Sequence, residues 1–258
     1  MTSNADKARE LLRLHTDPEL LLVVNVWDVI TAKVVADTPG TKALATASHS
    51  IAASYGYPDG EQIPRDLMIE AVGRIAAAVD LPVTADLEGG YGDAGETVSR
   101  AIDVGIVGAN LEDQMKPLAD SVRAVEAAVA AGERAGIPFV LNARTDAFVK
   151  AGDRDPQEVL DEAAARGRAY LDAGASTFFV PGPLDEAMVS RLVDELGPQK
   201  VNVIGIPGSV PLARLQELGV ARVSYGPWSQ NVALTALAEL AEDVYAGGGL
   251  PEGTRKLN

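Results

Sequence analysis

The chain contains no cysteine among its 258 residues. That absence excludes a disulfide framework, thiolate metal sites, iron–sulfur clusters and a cysteine nucleophile. Histidine is scarce, with two residues, and aromatic residues make up only 5%. Basic residues are outnumbered: 22 Lys and Arg stand against 37 Asp and Glu, a net charge of −15. Such a surface repels nucleic acid and anionic membranes, so neither is expected as a partner. A small anionic substrate remains admissible where a site supplies its own cations. Long apolar runs are also missing; Leu20–Val24 is among the longest, far below the length of a membrane span. Met1–Asp17 carries no signal-like apolar segment, and the expected location is the cytoplasm.

What is present is alternation. Short runs rich in Val, Ile and Leu, at Leu21–Val26, Lys42–Thr46, Pro82–Asp86, Gly108–Glu112, Phe139–Ala143, Thr177–Val180, Val201–Ile204 and Ala221–Ser224, are separated by Ala-rich amphipathic segments. Runs that are apolar on both faces suit parallel strands covered on each side. Gly105, Gly136, Gly174 and Gly219 stand where helices should stop, and Asp155–Pro156 where one should start. Eight such units at this length predict a single-domain α/β protein, a (β/α)8 TIM barrel over residues 1–258. Met1–Asp17 is expected to be a peripheral extension, with His15 on the surface, and Gly247–Asn258 a flexible tail. An open doubly wound sheet competes, but the first strand leads into Asn25-Val26-Trp27-Asp28, without a glycine-rich dinucleotide loop.

Barrel active sites lie at the C-terminal strand ends. There the third strand runs into Asp86-Leu87-Glu88-Gly89-Gly90-Tyr91-Gly92, placing two acids on one side of the chain if the extended geometry persists. The fourth ends at Glu112-Asp113, the fifth at Arg144-Thr145-Asp146, and Asp59 follows the second. Carboxylates gathered at one mouth repel unless a cation sits among them; oxygen donors without His or Cys point to Mg²⁺ or Mn²⁺. Arg144 is suited to a substrate carboxylate, or to pairing with Asp146. Asp113 reads as a solvated loop acid or helix cap. His49 is a candidate for substrate contact or proton transfer, and Lys116 for a cation closing over the substrate.

These segments, with Ala45-Thr46-Ala47-Ser48, Gly56-Tyr57-Pro58-Asp59-Gly60 and Asn142-Ala143-Arg144-Thr145-Asp146, resemble the isocitrate lyase/phosphoenolpyruvate mutase superfamily, and within it the short phosphonomutase-like branch. The resemblance runs from about Leu20 to about Gly226. It implies a barrel whose last helix is swapped between subunits of a homodimer or homotetramer. It implies Mg²⁺ on Asp86, with Glu88 and Glu112 acting through the ion's waters. Asp59 corresponds to an acid near metal and substrate, Arg144 to a substrate-binding arginine, and Ala47, Ser48 and His49 to the loop that takes the carboxylate of a 2-oxo acid. The isocitrate and methylisocitrate lyases carry a catalytic cysteine that this chain lacks. The gating-loop Lys and Asn of the phosphonate enzymes fall on Leu118 and Asp120. The expected activity is therefore Mg²⁺-dependent cleavage or formation of a C–C bond beside the enolate of a 2-oxo acid. The alternatives are P–C bond chemistry on phosphoenolpyruvate or phosphonopyruvate, and a non-catalytic 2-oxo acid binder.

Overall fold

A computed structural model describes residues 3–257. Its strands are β1 (Leu21–Val23), β2 (Asn25–Val26), β3 (Leu44–Thr46), β4 (Val83–Asp86), β5 (Gly108–Glu112), β6 (Val140–Arg144), β7 (Thr177–Val180), β8 (Val201–Ile204) and β9 (Arg222–Ser224). The helices are α1 (Asn4–Thr16), α2 (Val29–Ala36), α3 (Ser48–Ser54), α4 (Arg65–Ala77), α5 (Ala94–Asp103), α6 (Leu118–Arg134), α7 (Pro156–Asp172), α8 (Glu186–Leu196), α9 (Leu212–Glu217) and α10 (Trp228–Tyr245). All pairings are parallel, in the order β1-β9-β8-β7-β6-β5-β4-β3-β2. The two ends of that order, β1 and β2, are separated in the chain by Val24 alone, so the sheet curls into a nearly closed barrel. The first predicted strand is thus one stretch that changes partner half-way. Asn25 stitches the seam: its Nδ2 donates to Thr46 O at 2.8 Å, and its Oδ1 accepts from Tyr225 N at 2.8 Å and Gly226 N at 2.9 Å.

Several local signals act as the sequence predicts. Gly105 and Gly174 take φ of 98° and 99° after α5 and α7, a region that an L side chain enters only with strain. Asp155 caps α7 by accepting from Gln157 N at 2.7 Å, with Pro156 in the first turn. The strands are buried almost throughout, because helices cover them outside and side chains fill the interior.

Two expectations are corrected at the amino end. Asn4–Thr16 are not peripheral: as α1 they lie across the N-terminal ends of the strands, while Met1 and Thr2 fall outside the described residues. Ala8, Leu11 and Leu14 join Leu21, Val23, Ala43, Ala45, Val107 and Val140 in one buried cluster. His15 is fully buried rather than on the surface, with its Nδ1 2.8 Å from Leu11 O. Burial holds His15 down at about 3, so it stays neutral near pH 7. The helix reads as surface-like because its outer face carries Arg9, Glu10 and Arg13, which pair along the helix. At the other end, the first turn of α10 is tied to its own barrel, with Ser229 Oγ donating to Asn25 O at 2.6 Å. Beyond Asn231 the helix is exposed almost all round. Among the described residues no helix is long and apolar enough to cross a membrane.

Leu11 fills the barrel bottom beside Gly108, where an added Cβ would lie 2.7 Å from Leu11 Cδ2. Leu11→Ala is expected to cost about 2–5 kcal/mol of unfolding free energy, measured by urea denaturation, with ligand affinity at the far end of the barrel unchanged.

Candidate active site

Parallel register brings the chemistry together at one end. Asp86, Glu112 and Arg144 are the last residues of β4, β5 and β6, and Glu112 lies opposite Arg144 across the β5–β6 pair. Two adjoining cavities open there. One, of about 210 Å³, is bordered by Ser48, His49, Asp59, Asp86, Arg144 and the apolar side chains of Phe179 and Ile204, among others. The other, of about 510 Å³, includes Asp59, Glu88, Glu112, Lys116, Arg144 and Asp146 in its lining. Ser48, Asp59 and Arg144 border both, as does Val149.

Arg144 is the central cation. Its Nη1 lies 2.9 Å from Glu112 Oε2, and its Nη2 and Nε lie 2.8 and 2.9 Å from Asp146 Oδ1. The expected pairing with Asp146 is thus present, and Arg144 also borders both cavities. Asp86 turns one oxygen to Ser48: Oδ2 accepts from Ser48 Oγ at 2.8 Å and from Ser48 N at 3.2 Å. Its other oxygen, Oδ1, is buried and has no hydrogen-bond partner among the described residues.

Glu88 departs from the expected geometry. The extended chain ends at Asp86, and Glu88 takes φ of 52°, so the two acids do not simply share one side of a strand. Glu88 instead accepts from Glu61 N and, at 3.1 Å, from Tyr91 Oη. It fastens the Asp59 loop to the end of β4 while still bordering the larger cavity. Among the described residues no three acidic or imidazole groups converge as direct ligands, so Asp86, Glu88 and Glu112 do not form a three-carboxylate cage. Glu88 is held by the loop contacts and Glu112 by Arg144.

The other candidates lie at the rim. Ala47 is the N-cap residue of α3 and Ser48 its first residue, so this part of the expected substrate loop is helical. His49 is exposed, with Nδ1 3.5 Å from Asp59 Oδ2. Lys116 is exposed and makes no ion pair among the described residues.

Asp113 is a correction. It is buried rather than solvated, and its Oδ2 accepts from Thr145 Oγ1 at 2.7 Å, Tyr170 Oη at 2.8 Å and Arg166 Nη1 at 3.2 Å. Its Oδ1 accepts from Met115 N at 2.9 Å and Asp146 N at 3.0 Å. The Lys116 loop and the end of β6 thus hang on one carboxylate. Sequence reasoning missed Arg166 and Tyr170 because they lie within the C-terminal half of α7, four residues apart on one face, away from any strand end. It also missed Asn25, whose role depends on a partner near residue 225.

Burial dominates the electrostatics. It pushes Glu112 up to about 8, opposed by Arg144 and reinforced by Asp146, Asp86 and Glu88. It pushes Glu88 up to about 7, with Asp86 and Asp59 adding repulsion against the hydrogen bonds from Glu61 and Tyr91. Under-compensated carboxylates beside an orphaned Asp86 oxygen fit a hard divalent cation that keeps several waters.

A match to the family model "Phosphoenolpyruvate phosphomutase" covers residues 11–245. The chain belongs to this family. A candidate phosphonomutase from Burkholderia cenocepacia J2315 is 41% identical, with a TM-score of 0.86 over 93% of this chain and 99% of that one. The 2,3-dimethylmalate lyase of Eubacterium barkeri is 28% identical, spanning 92% of this chain and 85% of its own length. Oxaloacetate acetylhydrolase in complex with the product oxalate is 25% identical, with a TM-score of 0.85 over 97% and 91% of the two chains. The relatives identify a superfamily of lyases and mutases, and members named for their reactions are enzymes. The expected barrel class agrees with these structures.

The pH dependence of stability follows from Glu112. A carboxyl raised from 4.5 to about 8 contributes stability that is complete below the unfolded value and is lost as pH rises through about 8. Without added metal, Glu112→Gln escapes that loss. Its thermal midpoint is therefore expected to gain on wild type between pH 6 and pH 8. A constant difference across that window would contradict the assignment.

Proposed function

We propose that this protein is a divalent-metal-dependent lyase that breaks or forms a C–C bond beside the carbonyl of a small 2-oxo acid, or of a 2-hydroxy acid precursor, through an enolate. Oxaloacetate decarboxylation is the representative reaction. The observation that carries the reading is the buried, unpartnered Asp86 Oδ1 in a mouth that Arg144 also borders. Mg²⁺ or Mn²⁺ held at that oxygen would polarise the 2-oxo group. Ser48 fixes the other oxygen of Asp86, which would leave Oδ1 to hold the ion. Glu88 and Glu112 would reach the ion through water. Arg144 offers guanidinium N–H groups to the substrate carboxylate or to the oxyanion that develops as the C–C electron pair enters the carbonyl. Ala47, Ser48 and His49 would border the substrate carboxylate. His49, steadied by Asp59, and Lys116 are the rim groups proposed to return a proton to the enolate carbon.

The names of the Eubacterium barkeri lyase and of oxaloacetate acetylhydrolase support C–C bond cleavage. The lack of cysteine weighs against the isocitrate and methylisocitrate lyase reactions. P–C bond chemistry is the second reading, favoured by the identity with the Burkholderia protein. Against it, the positions of the gating Lys and Asn fall on Leu118 and Asp120 at the start of α6. A 2-oxo acid binder without turnover is a third reading of the same pocket.

The test is a panel of 2-oxo and 2-hydroxy acids incubated with MgCl₂ and assayed for pyruvate and oxalate. Asp86→Ala is expected to abolish metal-dependent turnover, and Arg144→Met to lower kcat/KM by about 10²–10³. Unchanged turnover in Asp86→Ala would remove the metal role. A changed phosphorus signal from phosphonopyruvate in ³¹P NMR would favour the second reading, and Mg²⁺-dependent oxalate binding without turnover the third.

The exposed apolar side chains Val232, Leu234, Leu237, Val244 and Tyr245 on α10 support homodimeric or homotetrameric assembly through this helix, including exchange of α10 between subunits. Sedimentation is expected to find dimers or tetramers, shifted toward monomer by Leu237→Asp. A wild-type monomer at micromolar concentration would contradict the assembly.

A further inference from the structure

Arg222 points into the barrel from β9, two residues below Ser224 at the mouth. It is 1% exposed, and Nε, Nη1 and Nη2 all lack a hydrogen-bond partner among the described residues. A buried guanidinium with five idle N–H groups is unstable unless something accepts from them. Three buried acceptor sites in the same interior are idle as well. Asn202 faces Arg222 in register on β8, and its Nδ2 is engaged with Thr177 Oγ1 at 3.0 Å while its Oδ1 has no partner. His15 lies toward the plugged end and is held neutral; with the Nδ1 proton directed at Leu11 O, its unpartnered Nε2 is a lone pair. Asp86 Oδ1 lies toward the mouth. The Arg222 charge disfavours protonation of His15, and the Asp86 carboxylate favours the charged guanidinium against the burial that opposes it.

Donors without acceptors and acceptors without donors along one axis call for a small molecule that does both. Water accepts from the guanidinium and donates to the lone pairs of Asn202 and His15, whereas an anion would face Asp86 and those two lone pairs. Above, the cavities collect Asp59, Asp86, Glu88, Glu112 and Asp146 around Arg144 and two rim lysines. A fixed positive charge beneath this group opposes cation entry and favours anion entry.

We propose that Arg222 is a positioning residue, joined by ordered water to Asn202 Oδ1 and His15 Nε2, while Asp86 Oδ1 on the mouth side stays open to the cation. Its charge balances the mouth carboxylates, so that a dianionic ligand can enter together with its cation. The proposal rests on the reading of the mouth as a 2-oxo acid site.

Two measurements test it. A high-resolution crystal structure of the wild-type chain should contain ordered water within hydrogen-bond distance of Arg222 that bridges to Asn202 Oδ1 or His15 Nε2. A dry interior overturns the proposal, whatever the variants do. Calorimetry supplies the electrostatic sign: MgCl₂ alone is titrated first, then oxalate in its presence, into wild type, Arg222→Met and Arg222→Lys. Arg222→Met should bind Mg²⁺ as tightly as wild type or more so, and oxalate about fivefold or more weakly. Arg222→Lys, which keeps the charge, should stay within about threefold of wild type for both. Loss of both affinities together in folded Arg222→Met marks a merely structural residue and overturns the proposal, as does no change in either. If wild type binds neither titrant, the 2-oxo acid reading itself fails and this inference with it.

Discussion

Charge crowding at the mouth governs the rest of the site. Arg144 sits between Glu112 and Asp146 in a setting too buried for water to screen the remaining acids. Glu88 and Glu112 consequently hold protons well above the ordinary carboxylate range. Such an arrangement is costly without a counter-charge, and under the proposed function a cation and an oxo anion arriving together would lower that cost. Many features of the upper barrel serve to hold this unfavourable assembly in place: Ser48 on Asp86, the Glu61 and Tyr91 contacts on Glu88, and Asp113 beneath the Arg144 strand.

Much of that organisation was legible in the chain. Parallel strands of a barrel all end at one mouth, so an acid or arginine closing an apolar run is a strong positional signal; Asp86, Glu112 and Arg144 each carried it. Glu88 was legible as an acid at the mouth but not in its orientation, because the turn to positive φ after Asp86 depends on contacts with Glu61, 27 residues away. Asp113 was misread because burial belongs to the packing of α7 against the loop, and neither Arg166 nor Tyr170 announces itself in an Ala-rich helix. His15 was misread for a related reason. The charged outer face of α1 dominates its composition, while its few apolar residues become informative only once the barrel bottom exists.

The division between the two ends of the barrel is chemical as well as spatial. Leu11, Leu14, Leu21, Val23 and Val140 close one end with apolar contact. Above them Asn110, Asn142, Thr177 and Asn202 pass hydrogen bonds from strand to strand, beginning with Asn142 Nδ2 to Asn110 Oδ1 at 2.7 Å. This polar middle layer is unusual in place of branched aliphatics. It gives the interior directional contacts that a sliding strand would break, and it brings polarity up to the floor of the site.

The amino-terminal plug also bears on how the chain is made. Leu11 and Leu14 meet Leu21, Val23, Ala43 and Ala45 early in the chain but also Val107 and Val140, so the cluster under α1 is complete only once more than half the polypeptide has left the ribosome. Until then part of the helix's apolar face stays uncovered, and closure over so long a sequence separation is slow and leaves apolar surface open to misassociation.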